Sequence, residues 1–240
     1  MAALRTETRK KAEQTFNDAY KWYTDQLSTD GSFPGINRED SAAFYNVLYL
    51  FGLGGKWKEA EGFADWARKN LIEKDTTMYI DQNGIWANRG IYFKGWNVYG
   101  SHFAGIYDLS LPAIDVLLRF QEKQSGGFYC SEKRAHTDEG LIDLNATSLC
   151  GLAAIVTGRT EAAFKAADHV ARVIELQPDL PKKFFAYYSP KDKNLLTEWP
   201  YEGGADKNAQ NDIYQEKNIG IESDIDIYHF CLDNDKEGEV

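Results

Sequence analysis

No apolar run in the chain approaches the roughly 20 residues that a membrane-spanning helix needs. The first residues, Met1 to Lys11, are polar and charged and lack the apolar core of a secretory signal. Cysteine is scarce. Cys130, Cys150 and Cys231 are an odd number without metal-ligand spacing, and no Cys/His set has the spacing of a zinc site. Thiols in a reducing compartment fit this pattern, so a cytoplasmic location is expected. A phosphate-binding loop is missing as well: Gly52-Leu53-Gly54-Gly55 lacks the Lys-Ser/Thr ending and a preceding strand. Positive charge is in deficit, with 27 Lys and Arg against 37 Asp and Glu, a net charge of −10. Such a surface repels phosphate backbones, which argues against a nucleic-acid partner.

What is present is a globular composition. The 240 residues are 43% hydrophobic and 27% charged, enough to bury a full core in one domain. Aromatics reach 14%, with 14 Tyr, 13 Phe and 6 Trp. Aromatic side chains bury large areas and also line apolar or sugar-binding pockets.

Apolar spacing predicts helices throughout. Glu7 to Leu27 reads as an amphipathic helix broken by Thr29-Asp30-Gly31-Ser32 and Pro34-Gly35. Asp40 to Leu53 is an apolar segment ending at glycines, followed at once by a more polar helix from Lys56 to Ile72. So short a connection makes the two helices antiparallel neighbours. The arrangement recurs at Asp143 to Val156, the turn Thr157-Gly158-Arg159, and Thr160 to Leu176. A third copy fits between, with Trp96 to Tyr107 inner and Leu111 to Gln124 outer, and Pro112 inside the first turn. Turns near residues 55, 108 and 158 give a period of about 50 residues, typical of helical repeats. The longer connections, such as Gly126-Gly127-Phe128-Tyr129 and Phe184-Phe185-Ala186-Tyr187-Tyr188, are where short strands are expected. Inner helices carry the small and apolar residues, outer helices the charges, and the starts of the inner helices gather at one mouth. Residues 201–240 show no hairpin and end in a mobile, acidic stretch.

Several residues on this frame could carry chemistry. Asp40 and Asp143 occupy equivalent inner-helix starts, where a carboxylate serves as a general acid, a substrate anchor, or simply a helix N-cap. His102 titrates near neutrality and shares a helix with Trp96, Tyr99 and Phe103, which read as a pocket wall. Cys130 follows the Gly-Gly-aromatic turn at the mouth. Tyr45, Tyr49, Trp86, Tyr129 and Tyr187 read as core residues or as ligand contacts. Glu132 and His136 belong to a polar loop, and His169 has no context that singles it out.

Gln121-Glu122-Lys123-Gln124-Ser125-Gly126-Gly127-Phe128 resembles the Gln…Gly-Gly-aromatic repeat that follows outer helices in the α/α-toroid superfamily of terpenoid cyclases and prenyltransferases. Tyr92-Phe93-Lys94-Gly95-Trp96 and Gly127-Phe128-Tyr129-Cys130 are similar to segments of its linalool dehydratase-isomerase type, as is the Asn-containing inner helix at Leu144-Asn145-Ala146. The resemblance covers about residues 35–190. Trp96 stands where that type has a histidine, and Leu144 where it has a second cysteine. Neither an Asp-x-Asp-Asp motif nor a prenyltransferase zinc triad is present.

The resemblance implies a mainly α fold: an α/α toroid or partial (α/α)6 barrel over 1–200, with short strands in the long loops and an irregular extension at 201–240. The chemistry rests instead on the aromatic-lined cavity, whose ring faces stabilise a developing carbocation: the leading expectation is a cofactor-independent cyclase, isomerase or lyase that moves protons on an apolar, terpenoid- or polyketide-like molecule. Catalysis is then expected of His102, Asp143, Asp40 and Cys130, and substrate contact of Tyr45, Trp96, Tyr99, Phe103, Tyr129 and Asn145. No metal is expected. A carbohydrate-active toroid using the Asp40 and Asp143 pair, and a non-catalytic helical-repeat binder, are the alternatives. Three hairpins leave two open apolar flanks, so a homodimer is expected.

Overall fold

The structure, a computed structural model, describes residues 2–34, 44–80, 87–180 and 184–197. These residues form seven α-helices and a small antiparallel sheet. The helices are α1 (Ala2–Gln26), α2 (Val47–Leu53), α3 (Trp57–Asn70), α4 (Gly90–Phe103), α5 (Tyr107–Leu117), α6 (Leu144–Val156) and α7 (Thr160–Glu175). The strands are β1 (Ile142–Asp143), β2 (Tyr187–Ser189) and β3 (Asn194–Leu195), in the order β1-β2-β3. Their register places Asp143 opposite Tyr187 and Tyr188 opposite Leu195. No described helix is long and apolar enough to cross a membrane.

Three helical hairpins succeed one another: α2–α3, α4–α5 and α6–α7. Each is closed by the same turn. Gly55, Gly105 and Gly158 take φ of +64°, +77° and +78°, a left-handed conformation open to glycine. The next residue donates its N–H back across the helix end: Lys56 to Phe51 O at 2.9 Å, Ile106 to Ser101 O at 2.8 Å, Arg159 to Ala154 O at 2.7 Å. This is the Schellman cap, which satisfies carbonyls that a helix end would otherwise leave open. The same residue then starts the outer helix with nearly the same backbone each time, φ/ψ of −94°/64°, −86°/69° and −88°/57°.

A second turn recurs after the outer helices. Gly31, Thr76 and Gly126 have φ of +83°, +71° and +82°. Asp30 accepts from the Ser32 N–H at 3.0 Å, and Asp75 from the Thr77 N–H at 3.0 Å. Each turn delivers a buried side chain: Phe33, Met78 and Phe128. The outer helices and turns are linked by Arg68 on Asp108 and Arg159 on Asp115, with N–O distances of 2.8 to 3.1 Å. These pairs are partly exposed, so each contributes at most about 1 kcal/mol.

The inner helices lie side by side, with α4 packed against both α2 and α6. Glycines permit the approach. A Cβ on Gly100 would lie 2.8 Å from Tyr49 N, and one on Gly95 would lie 3.0 Å from Cys150 Sγ. Three adjoining apolar clusters result: one under α1–α3, one among α4–α7, and one beneath the sheet around Ile142, Phe185 and Tyr187.

Two expectations need correction. The middle inner helix begins at Gly90 rather than Trp96 and ends at Phe103, so its turn is at Gly105 and not near 108. Gly95 reads as a breaker in sequence, yet it sits mid-helix because Cys150 requires the space. Pro112 consequently lies inside α5, which starts at Tyr107, and not in its first turn. Its missing N–H leaves the Asp108 carbonyl without the usual helical donor. Residues 201–240 lie outside the described residues, as do Asp40 and the first part of the segment from 40 to 53.

The two kinds of glycine turn respond differently to a side chain. At Gly105 a Cβ meets nothing within 4 Å, whereas at Gly126 it would fall 2.3 Å from Lys165 O. Gly105→Ala should cost about 1 to 2 kcal/mol from backbone conformation alone. Gly126→Ala should cost clearly more, because backbone must shift as well. Thr76→Gly should stabilise by roughly 0.5 to 1 kcal/mol, since a β-branched residue is relieved of positive φ. Urea unfolding of the three variants checks the order, and an equal loss at Gly105 and Gly126 would refute the packing account.

Candidate functional site

Aromatic residues on α4 recur at Tyr92, Trp96, Tyr99 and Phe103, a spacing that places them on one helix face. Tyr45, just before α2, and Tyr49, within it, meet that face from the side. Tyr45 packs on Phe93 at 5.0 Å and Trp96 at 6.1 Å between ring centroids. Tyr49 packs on Trp96 at 5.4 Å, Tyr99 at 5.2 Å and Phe103 at 5.2 Å. The rings of Tyr45, Tyr49, Tyr92, Trp96, Tyr99 and Phe103 form one layer across two inner helices, half-buried throughout except for Phe103, which is 42% exposed. Burial and the neighbouring Tyr99 push the Tyr49 phenol up. The Trp96 Nε1–H is enclosed and has no hydrogen-bond partner among the described residues. On α6 the half-buried and exposed positions Asn145, Ser148, Leu152 and Ile155 form a matching stripe.

Polar groups collect at the starts of α4 and α6. Asp143 is buried and N-caps α6, accepting from the Asn145 N–H at 2.9 Å. Burial pushes its carboxyl up, against the opposing pull of Arg89 and two backbone N–H groups. Burial also raises the Tyr187 phenol well above its ordinary value, with Asp143 adding to the effect and Arg89 opposing it. The Cys150 thiol is likewise raised, by burial and by Asp143. Cys130 is buried beside this group; its carbonyl accepts from Ile91 N–H at 3.4 Å and its N–H donates to Leu141 O at 2.9 Å. Close by, Lys94 is only 1% exposed and lies 2.8 Å from Glu132 Oε1 and 2.8 Å from Thr77 Oγ1. The Thr77 hydroxyl in turn donates to Asp75 at 2.7 Å. A buried lysine needs such partners to stay charged.

The residues singled out from sequence therefore divide. Tyr45, Trp96, Tyr99 and Phe103 share the aromatic layer. Asp143, Cys130 and Asn145 gather at the polar end. Tyr129 is buried in the core beneath the sheet, 5.0 Å from the His136 ring. His102 lies at the other end of α4, with Nδ1 3.1 Å from Ser110 Oγ and the Val156 backbone near it. Asp143 starts the helix that Val156 ends, so His102 stands about 20 Å from Asp143 along the axis. The two cannot serve one reacting bond. Asp40 lies outside the described residues. Sequence reasoning missed Arg89, and gave Lys94 and Tyr92 no role beyond the motif they stand in; Tyr187 reads there as core or ligand contact without a link to Asp143. Lys94 carried a signal, as the one charge in an otherwise uncharged α4 before its end. Arg89 carried none, and Tyr187 none that ties it to Asp143, which it meets through the pairing of β1 with β2; Arg89, in the turn before α4, acts on both.

Among the described residues, no group of three or more His, Cys, Asp and Glu side chains is placed to hold a metal ion. No protein-family model matches the chain. No curated protein sequence matches it either.

His169 underlies the site from α7. It is fully buried, touches Tyr188 edge-on at 5.2 Å, and faces the place where a Gly127 side chain would stand. Neither ring nitrogen has a hydrogen bond among the described residues; the Ser125 backbone faces the ring out of bonding geometry. Burial, and secondarily the Arg172 charge, lower its pKa to about 4. The unfolded chain takes up this proton near pH 6.5, the folded protein only near 4, so stability falls as pH drops between those values. Melting scans from pH 7 to 5 should show this decline, and His169→Gln should flatten it. An unchanged pH slope in the variant would assign the decline to other groups.

Proposed function

We propose that the chain is a small-molecule enzyme of the α/α-toroid type, a cyclase, isomerase or lyase acting by proton transfer on an apolar, terpenoid- or polyketide-like substrate. The observation that carries this reading is the half-buried layer of Tyr45, Tyr49, Tyr92, Trp96, Tyr99 and Phe103 over adjacent inner helices, together with a buried carboxyl group at the start of the next one. Aromatic faces fold an apolar chain and stabilise positive charge developing on it. The enclosed Trp96 indole, which has no hydrogen-bond partner among the described residues, supplies a donor for one oxygen of such a substrate.

Asp143 supplies the proton in this account. Its pKa, pushed up by burial, keeps more of the acid form available than an exposed aspartate would. Transfer of that proton to an alkene or a leaving hydroxyl leaves a carboxylate, which the Asn145 N–H and the Arg89 charge hold. Loss of a proton from the substrate cation returns the acid, so no cofactor takes part.

Asp143→Asn separates the two duties of this residue, because asparagine caps a helix as well as aspartate does. The variant should melt within a few degrees of the parent and still bind a monoterpene alcohol, followed by tryptophan fluorescence. Its turnover, followed by gas chromatography, should fall by about 100-fold or more. Trp96→Ala should weaken binding itself. Full activity in Asp143→Asn, or a melting response to oligosaccharides and none to terpenoids, would overturn the reading.

A further inference from the structure

Exposed large apolar side chains gather at one end of the hairpins. Leu53, Phe103 and Val156 each stand two residues before a turn glycine, Gly55, Gly105 and Gly158, and each is exposed. Trp57 and Tyr107 stand two residues after theirs and are more than half exposed. A single apolar side chain on a surface needs no explanation, but a group that recurs at the same turn position does.

The three turns lie at one level. A Cβ on Gly52 would stand 2.8 Å from the Phe103 ring and 3.3 Å from Ala104 Cα, so the first turn sits beside the second. The Val156 backbone faces His102, so the third sits beside the second as well. The caps share one hydrogen-bonding pattern, and the outer helices leave them with nearly the same backbone angles. The exposed residues therefore form a row across three level tips rather than the walls of a groove. Such a row matches a plane better than it matches the knob or helix of a partner protein.

Charge points the same way. The chain holds 37 acidic residues, yet none falls within 52–57, 102–107 or 155–160, where Lys56 and Arg159 stand. Lys56 lies over the Tyr20 ring at 5.0 Å, and Arg159 is bonded to Asp115. Of the acids that follow the turns, Asp108 is bound to Arg68 and Glu161 to Lys165, while Glu59 shares the Tyr20 phenol with Lys56. Little charge has to be stripped of water when this end meets an apolar layer. Trp and Tyr settle at the headgroup level of a bilayer, with aliphatic neighbours deeper.

We propose that the turn end of the hairpins is a lipid-contact surface, on which Leu53, Phe103 and Val156 enter the acyl boundary and Trp57 and Tyr107 lie among the headgroups. Adsorption of this kind needs no spanning helix. Phe103 also ends the aromatic layer, so that layer opens where the lipid lies.

The full chain is tested by sedimentation with sucrose-loaded vesicles of phosphatidylcholine. The parent should pellet with them. Trp57→Glu and Tyr107→Glu should each lower the partition coefficient at least about tenfold. Both substitutions place an acid at the first position of a helix, which the helix dipole favours, so melting should be unchanged or slightly raised. Trp22→Glu, an equally exposed aromatic on α1, should bind as the parent does. Vesicle binding is read without turnover, so its failure is separate from failure of the catalytic reading. A parent chain that stays in the supernatant, tip variants that bind as the parent does, or an equal loss in Trp22→Glu would each overturn the proposal. So would light scattering that shows, without lipid, a parent oligomer which Trp57→Glu dissociates, since the tips would then bind protein.

Discussion

Helix α4 lies between two neighbours that approach closer than side chains would permit, and the remainder of the molecule is arranged around that approach. Gly100 admits the backbone of Tyr49 on one side, and Gly95 admits Cys150 on the other. Gly52 does the same from α2, where a Cβ would stand 2.8 Å from the Phe103 ring. With small residues spent on the contacts, the large rings of α4 are left on a face that Tyr45 and Tyr49 meet from the side and that stays half-buried. That face is the aromatic layer. The same approach brings the starts of α4 and α6 together, so Arg89 acts on Asp143 and Lys94 reaches the loop that holds Glu132. Packing and site are consequences of one spacing.

The turns reproduce that spacing from hairpin to hairpin. Because Gly55, Gly105 and Gly158 close their helices with the same hydrogen bonds, each outer helix leaves its partner in the same direction. The polar turns at Gly31, Thr76 and Gly126 then return the chain to the next inner position. Surface ion pairs between hairpins add little to this. Stability comes from the buried alanines, leucines and phenylalanines that each hairpin can cover only with help from the next.

Much of this was legible in the sequence. The turns of the first and last hairpins could be placed, because Gly55 and Gly158 stand at sharp changes from apolar to amphipathic spacing; the first inner helix, however, starts at Val47 and not at Asp40, so Asp40 is not the counterpart of Asp143 at a helix start. The middle one was displaced, since Gly95 signals a break locally while tertiary contact requires it inside a helix. The aromatic stripe could be read from Trp96, Tyr99 and Phe103 because helical spacing survives in sequence. The polar end could be read only in part: Asp143, Asn145 and Cys130 were expected at the mouth, but not their partners. Asp143 meets Tyr187 through a two-residue strand pairing across a long stretch of chain, and no local pattern announces that. His102 was drawn into the same site by the helix it shares with the aromatics, and the length of that helix is what removes it. Spacing along a helix says which residues share a face, not which share an end.

The central claim is that the aromatic layer of the inner helices is a ligand surface with the Trp96 indole as its donor. Heteronuclear NMR of the indole N–H groups tests this directly, since the chain's other tryptophans act as internal controls. Trp22 and Trp57 are more than half exposed and lie off the layer. On titration with a monoterpene alcohol, the Trp96 Nε1–H resonance should shift downfield and show intermolecular contacts to the ligand, with Trp22 and Trp57 unmoved. Saturable binding that shifts Trp22 or Trp57 and leaves Trp96 unchanged, or no saturable shift at any of the three, would contradict the account.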